Sequence, residues 1–216
     1  MPDHGCVVAL LDTLRRSLLV PSSALVVAAA AALAWFGAWL ANSVLGGSEG
    51  FVDEVRAACL PFAAALALSL AEPLLVAREA RSGLLTLRAA RGGGFALGWR
   101  WAGLALSTLP AVALAAWAGG AWPDRPVAVL LDLSILCAGG LFLGAWLERG
   151  LLVPALWCLL VAGHLRPWLA DHWAAWLLPG LGDLSGAAGV LHAALWCGGL
   201  LLLAQHRLGA VVARSD

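Results

Sequence analysis

A chain of 216 residues with 62% hydrophobic and 12% charged side chains, at a mean hydropathy of +0.89, has too few polar residues to cover a water-soluble surface; soluble domains carry about 25% charged residues. The composition is that of a membrane protein. Net charge is zero, so the placement of charge along the chain matters more than its sum, and no nucleic-acid partner is expected.

The charged residues divide the chain into apolar segments. Ahead of the first, "VVALLDTLRRSLLV" predicts an amphipathic interfacial helix over 6–19. No ionisable side chain lies between Arg16 and Glu49, which gives a first span at about 22–45. That span is longer than a secretory h-region and lies behind an extra segment, so no cleavage is expected. Arg56 to Arg78 encloses a second span at about 57–77, with Glu72 its one charge. Further spans follow at about 101–121, 127–147 (interrupted by Asp132), 150–165 and 186–206. About 20 apolar residues cross the hydrocarbon as a helix, so five segments qualify and the 150–165 segment is short. The runs are continuous and not alternating, which selects helices over barrel strands. The fold class expected is all-α: a bundle of six transmembrane helices in a single domain, 1–216.

With six spans and the N-terminus inside, Arg15, Arg16, Arg78, Arg81, Arg88, Arg91, Arg100, Arg149, Arg207 and Arg214 fall on the cytoplasmic side. Arg56, Arg125 and Arg166 fall outside. The positive-inside rule then puts both termini in the cytoplasm of a cell inner membrane. The densest positive stretch, "VAREARSGLLTLRAARGGGFALGWRW" at 76–101, holds five arginines and a single acid. Its first half reads as a short amphipathic helix, with Leu84 and Leu87 on one face and Arg81 and Arg88 on the other, ended by "RGGG". Two readings are open at this point: a basic loop lying on anionic lipid, or a docking helix for a partner protein.

The segment "AREARSGLLTLRAARGGGFALGWRWAGLAL" resembles the loop between the second and third spans of type-2 ABC exporter permeases, in its "RE" pair, its "SG" and "LLTL" run and its basic helix restart. "LVAGHLRPWLADHWAAWLLPGLGDLSG" at 160–186 is similar to the stretch between the last two spans of one subgroup, and the 6–19 helix suits that family's elbow helix. "RGGGF" departs from the "P-(any)-SR" type turn usual there. The resemblance implies a coupling helix at 78–91, carried by Arg78, Glu79, Arg81, Gly83, Leu84, Leu87 and Arg88, which seats in an ABC ATPase subunit. It also implies a re-entrant segment at 167–182 closing an external gate, with Glu72, His164, Trp168, Trp173 and Trp176 as candidate gate residues. Two copies of the chain would form the path as a homodimer.

The chain contains no lysine and no G-x-x-x-x-G-K-[ST] sequence, so ATP and Mg are expected on the partner ATPase and no cofactor or catalytic residue in this chain. His164, Asp171, His172 and Asp183 match no compact zinc spacing, and no metal site is expected. Asp132 reads as an interfacial carboxylate, and Cys6, Cys59, Cys137, Cys158 and Cys197 lack disulfide spacing. Glycine clusters such as 138–140 and 197–199 suit close helix packing. The function expected is a permease subunit that passes a substrate across the membrane in contact with its lipids. The alternatives are a haem-export type permease of cytochrome c maturation and a non-transporting membrane scaffold.

Overall fold

The computed structural model describes residues 4–19, 21–44, 46, 48–81, 97–120, 126–166, 173–181 and 186–213. These residues are predominantly helical and contain no strand. In chain order the helices are α1 (His4–Leu18), α2 (Pro21–Trp39, continued by a π-helical turn over Leu40–Val44), α3 (Glu49–Ser69), α4 (Val76–Arg81), α5 (Leu97–Gly119), α6 (Pro126–Trp146), α7 (Arg149–Leu165) and α8 (Gly186–Val212). Short 3-10 turns lie at Glu72–Leu74 and Trp173–Leu177.

Among the described residues, four segments are long and apolar enough to cross a membrane: Ser23–Val44, Leu97–Gly119, Pro126–Trp146 and Gly186–Val211. Gly150–Leu165 is apolar but shorter. α3 has 21 residues, but Glu49, Asp53, Glu54 and Arg56 occupy its first two turns. The architecture is a helical membrane bundle.

Local chemistry sets the helix starts. Pro21 and Pro126 open α2 and α6 at the first helical position, where the N–H that proline lacks would have no intrahelical partner. Ser48 caps α3 by accepting from the Phe51 N–H, and Glu49 in the first turn complements the helix dipole.

The second apolar segment differs from its expected position at 57–77. Its helix spans 49–69, because charged residues outside the hydrocarbon do not stop a helix, whereas Pro73 does: it has no N–H to donate to Ser69. The chain then turns through 70–75 before α4.

α2, α3 and α5 pack together, with α1 laid against α5; α6 and α8 form a second pair with α7 beside α6, and α3 and α5 join the two groups. The first group meets through small residues, among them Ala30, Ala34, Ala64, Ala111 and Ala115, which let backbones approach closely. α6 is the central helix. Its window is 61% buried, against 28% for α2 and α8, whose outer faces carry Leu25, Leu33, Leu195 and Leu202 exposed.

The turn at 70–75 seats on α6 through Gly140 and Gly144, four residues apart on one face. A Cβ on Gly144 would overlap the Leu74 carbonyl oxygen, and one on Gly140 would lie 3.0 Å from a Leu74 methyl. Leu74 itself is fully buried. Gly144→Val is therefore expected to lower the thermal midpoint in detergent by several degrees, an overpacking cost of about 1–3 kcal/mol. Gly150→Ala, at a position with nothing within 4 Å of a Cβ, is expected to leave it unchanged. Tryptophan fluorescence on heating checks both.

Candidate functional site

The single acid of the 76–101 stretch is the residue around which the site is built. α4 is only six residues long and makes too few backbone hydrogen bonds to stand alone. It is held from both sides. Glu79 is 6% exposed; its Oε1 accepts from Arg16 Nη1 in the last turn of α1. Its Oε2 accepts from Arg100 Nη2 in the first turn of α5 at 2.5 Å. Arg16 also lies 3.7 Å from Asp12, one turn back on α1.

α1 reaches this position because its inner face fits α5. Thr13, nearly fully buried, returns its hydroxyl to the Ala9 carbonyl at 2.8 Å and turns its methyl to Gly103, where a Cβ would come within 2.9 Å of it. The outer face of α1 presents Val7, Val8 and Leu11 exposed, an apolar strip suited to a lipid interface.

Burial works to push the Glu79 carboxyl up, but the Arg100 guanidinium, its hydrogen bond and then Arg16 outweigh it, and the group is held below the ordinary carboxylate value. Glu79 is therefore ionised at neutral pH. Arg100 is itself buried at 4% exposure, and its Nη1 has no hydrogen-bond partner among the described residues. Two guanidiniums on one carboxylate in a low-dielectric setting make the node intolerant of losing the carboxylate.

Of the residues assigned to ATPase coupling, Arg78 is exposed on α4 while Glu79 faces inward. Arg81 closes α4, but its side chain, like Gly83, Leu84, Leu87 and Arg88 and most of the 78–91 helix, lies outside the described residues. Of the candidate gate residues, His164 and Trp173 are described with their side chains. Glu72 lies in the turn seated near the end of α6; its side chain is outside the description. His164 is at the far end of α7, where its ring Nδ1–H donates to the Leu160 carbonyl at 3.0 Å and the ring lies tilted against that of Phe62 at 5.7 Å. Trp173 is 78% exposed in its 3-10 turn. Trp168 and the Trp176 side chain lie outside the described residues.

Within the expected 167–182 segment, Pro179, Gly180 and Leu181 are buried, and Leu181 lies where a Cβ on Gly163 of α7 would stand. His192 of α8 is buried, with its ring 6.4 Å from that of Trp196. Asp132, read from sequence as interfacial, is 4% exposed two turns into α6, beside Leu60, Pro61 and Ala64 of α3.

Arg16 and Arg100 as partners of Glu79 were not legible as such, since 63 and 21 residues separate them from it. The available signal was the lone acid among five arginines. No protein-family model, no curated protein and no solved structure matches this chain.

Removing the carboxylate while leaving the Arg100 guanidinium buried is expected to cost about 3–5 kcal/mol in Glu79→Gln, read as a lower thermal midpoint at pH 7. The sign of the pH effect follows from the lowered folded value. Stability from Glu79 is fully present above the unfolded carboxylate value of about 4.3 and is lost as pH falls through the folded one. Midpoints measured from pH 7 down to pH 3 are thus expected to converge for the native chain and Glu79→Gln.

Proposed function

We propose that the chain is the membrane-spanning permease subunit of an ATP-driven ABC exporter, working in the inner membrane as a homodimer with a separate ATPase, both termini in the cytoplasm. α3 and α7 would join the four long apolar helices as the second and fifth of six crossings, with α1 as the interfacial elbow. The sequence resemblance in 77–106 and 160–186 supports this assignment. The observation that carries it is the Glu79 node, because it gives the arginine-rich stretch a mechanical connection to the membrane helices.

An ATPase seated on the 78–91 helix would displace α4, which leads directly into it. Glu79 cannot leave its two guanidiniums without stranding two buried charges, its own and that of Arg100, in an apolar surrounding, a cost of several kcal/mol. A displacement of α4 is therefore passed to α1 through Arg16 and to α5 through Arg100 as a shift of packed helices. Glu79 is a positioning residue here, and Arg78, Arg81, Leu84, Leu87 and Arg88 are the residues left to meet the ATPase. ATP and Mg²⁺ belong to the partner; this chain has no lysine for a phosphate loop.

The experiment is co-purification of the tagged chain in mild detergent with a co-expressed ABC ATPase, assaying nucleotide hydrolysis, beside a variant carrying Arg81→Glu and Leu84→Asp. The proposal expects a hydrolysing complex from the native chain and its loss in the variant, with the thermal midpoint of the chain unchanged. Recovery of the native chain alone would leave the arginines as topological anchors and favour a scaffold.

A further inference from the structure

Two aromatic and polar edges run around the surface of the bundle, and packing between helices registers each of them. On α5, Trp99 and Trp117 are exposed, and between them only Leu106, Pro110 and Ala113 are exposed. A Cβ on Gly119 would lie 3.6 Å from Ala34, which brings the exposed Trp35 and Phe36 of α2 near the level of Trp117. A Cβ on Gly120 would lie 3.8 Å from Arg56 Nη2, while Leu60 and Ala64 lie with Val112 of α5. The first two turns of α3, with Glu49, Asp53 and Glu54 exposed, therefore stand beyond this edge.

The opposite edge carries Trp99 and Trp146. Arg100, next to Trp99, meets Glu79, and the Arg207 guanidinium lies 4.8 Å over the Trp146 ring. The 70–75 turn ties the two together, because it packs on Gly144 of α6 and leads into α4. Arg15, Arg78, Glu148, Gln205 and His206 are exposed at this end. Between the edges, the exposed described residues of α2, α5, α6, α7 and α8 carry no charge, hydroxyl or amide.

This apolar belt is narrow. Trp99 and Trp117 are eighteen residues apart, about 27 Å at 1.5 Å per residue. On α2 the exposed apolar run from Ala24 to Trp39 covers about 22 Å before the exposed Asn42 and Ser43. On α8 the run from Ala187 to Leu203 covers about 24 Å before Gln205 and His206. α7 has the shortest, about 21 Å from Leu151 to Leu165, between Glu148 and Arg166, and α6 the longest, about 28 Å from Val127 to Trp146. Helix tilt makes each of these an upper limit on the thickness spanned, and tryptophan prefers the headgroup level, which puts the hydrocarbon inside the tryptophan edges. An ordinary hydrocarbon core is about 30 Å thick.

We propose that this surface is matched to a bilayer whose hydrocarbon core is only about 21–27 Å thick, thinnest beside α7, and that the chain selects short-chain lipids as its neighbours. The match holds whether or not the chain works with an ATPase. A thicker bilayer would draw Asn42, Ser43, Gln205 and His206 into hydrocarbon, where polar groups without partners are costly, or would have to thin around the bundle.

The test is lipid competition at the belt. The full chain is reconstituted in dibrominated dioleoyl phosphatidylcholine mixed with one unbrominated phosphatidylcholine at a time: dimyristoleoyl, dipalmitoleoyl, dioleoyl or dierucoyl. Bromine quenches the exposed tryptophans, and a lipid preferred at the belt displaces it. Tryptophan fluorescence is expected to recover several-fold more, mole for mole, with the dimyristoleoyl and dipalmitoleoyl lipids than with the dierucoyl lipid. A variant carrying Asn42→Leu, Ser43→Leu, Gln205→Leu and His206→Leu, all at exposed positions, lengthens the α2 and α8 belts by about one turn, roughly 5 Å each. Its preference is expected to move toward the dioleoyl lipid. Equal recovery with all four lipids, as when a second copy of the chain covers the belt, or recovery that rises with chain length, would overturn the match. A short-chain preference unmoved by the four leucines would overturn its assignment to the belt edges.

Discussion

A carboxylate buried in an apolar bundle must be paired, and the pairing of Glu79 decides how three separate pieces of this chain are arranged. α4 is too short to hold itself, α1 is an amphipathic helix with one face toward lipid, and α5 brings a buried arginine in its first turn. Each would be poorly satisfied alone: Arg100 and Glu79 as unpaired buried charges, α1 as a helix attached only through Thr13 and its neighbours. Together the two guanidiniums offset the desolvation of the carboxylate, hold it ionised, and fix the entry to the arginine-rich stretch against the bundle.

The remainder of the packing gives this joint a rigid base. α6 runs through the centre, and its glycines at 140 and 144 admit the backbone of the 70–75 turn, so α4 emerges from a seated turn. On the other side, alanines between α2, α3 and α5 allow those helices to approach closely. Where they do not quite meet, below α1, the small side chains leave a cavity with Arg16 in its lining. The same residue thus closes the ion cluster and edges the cavity.

The sequence was most legible where a physical limit acts locally. The charge-free run from Ser17 to Ser48 contains α2, and the apolar runs after Arg100 and Arg125 contain α5 beyond its first turn and α6, because burying an ionisable group in hydrocarbon is expensive and charges mark the ends. That logic failed for the second segment. Asp53, Glu54 and Arg56 are tolerated inside α3, since a helix continues through polar residues wherever water or headgroups are within reach, and its true limits were the Ser48 cap and Pro73. The Asp132 carboxylate was placed at an interface by its distance from the start of the span, which carries no information about which face of the helix it occupies. The Glu79 node was hidden for a different reason: pairings across 63 and 21 residues depend on how helices pack, and the positive-inside count had already given Arg16 and Arg100 a sufficient explanation.

Amide hydrogen exchange in detergent, comparing the native chain with Glu79→Gln, tests most directly whether this one carboxylate holds α1 and α5 together. Loss of the joint predicts faster exchange over His4–Leu18 and the first turn of α5, with Pro126–Trp146 as protected as before. Unchanged protection of α1 in the variant would contradict the account, and would mean that the helix is held by its contact with Gly103 and by lipid, with the ion cluster incidental to it.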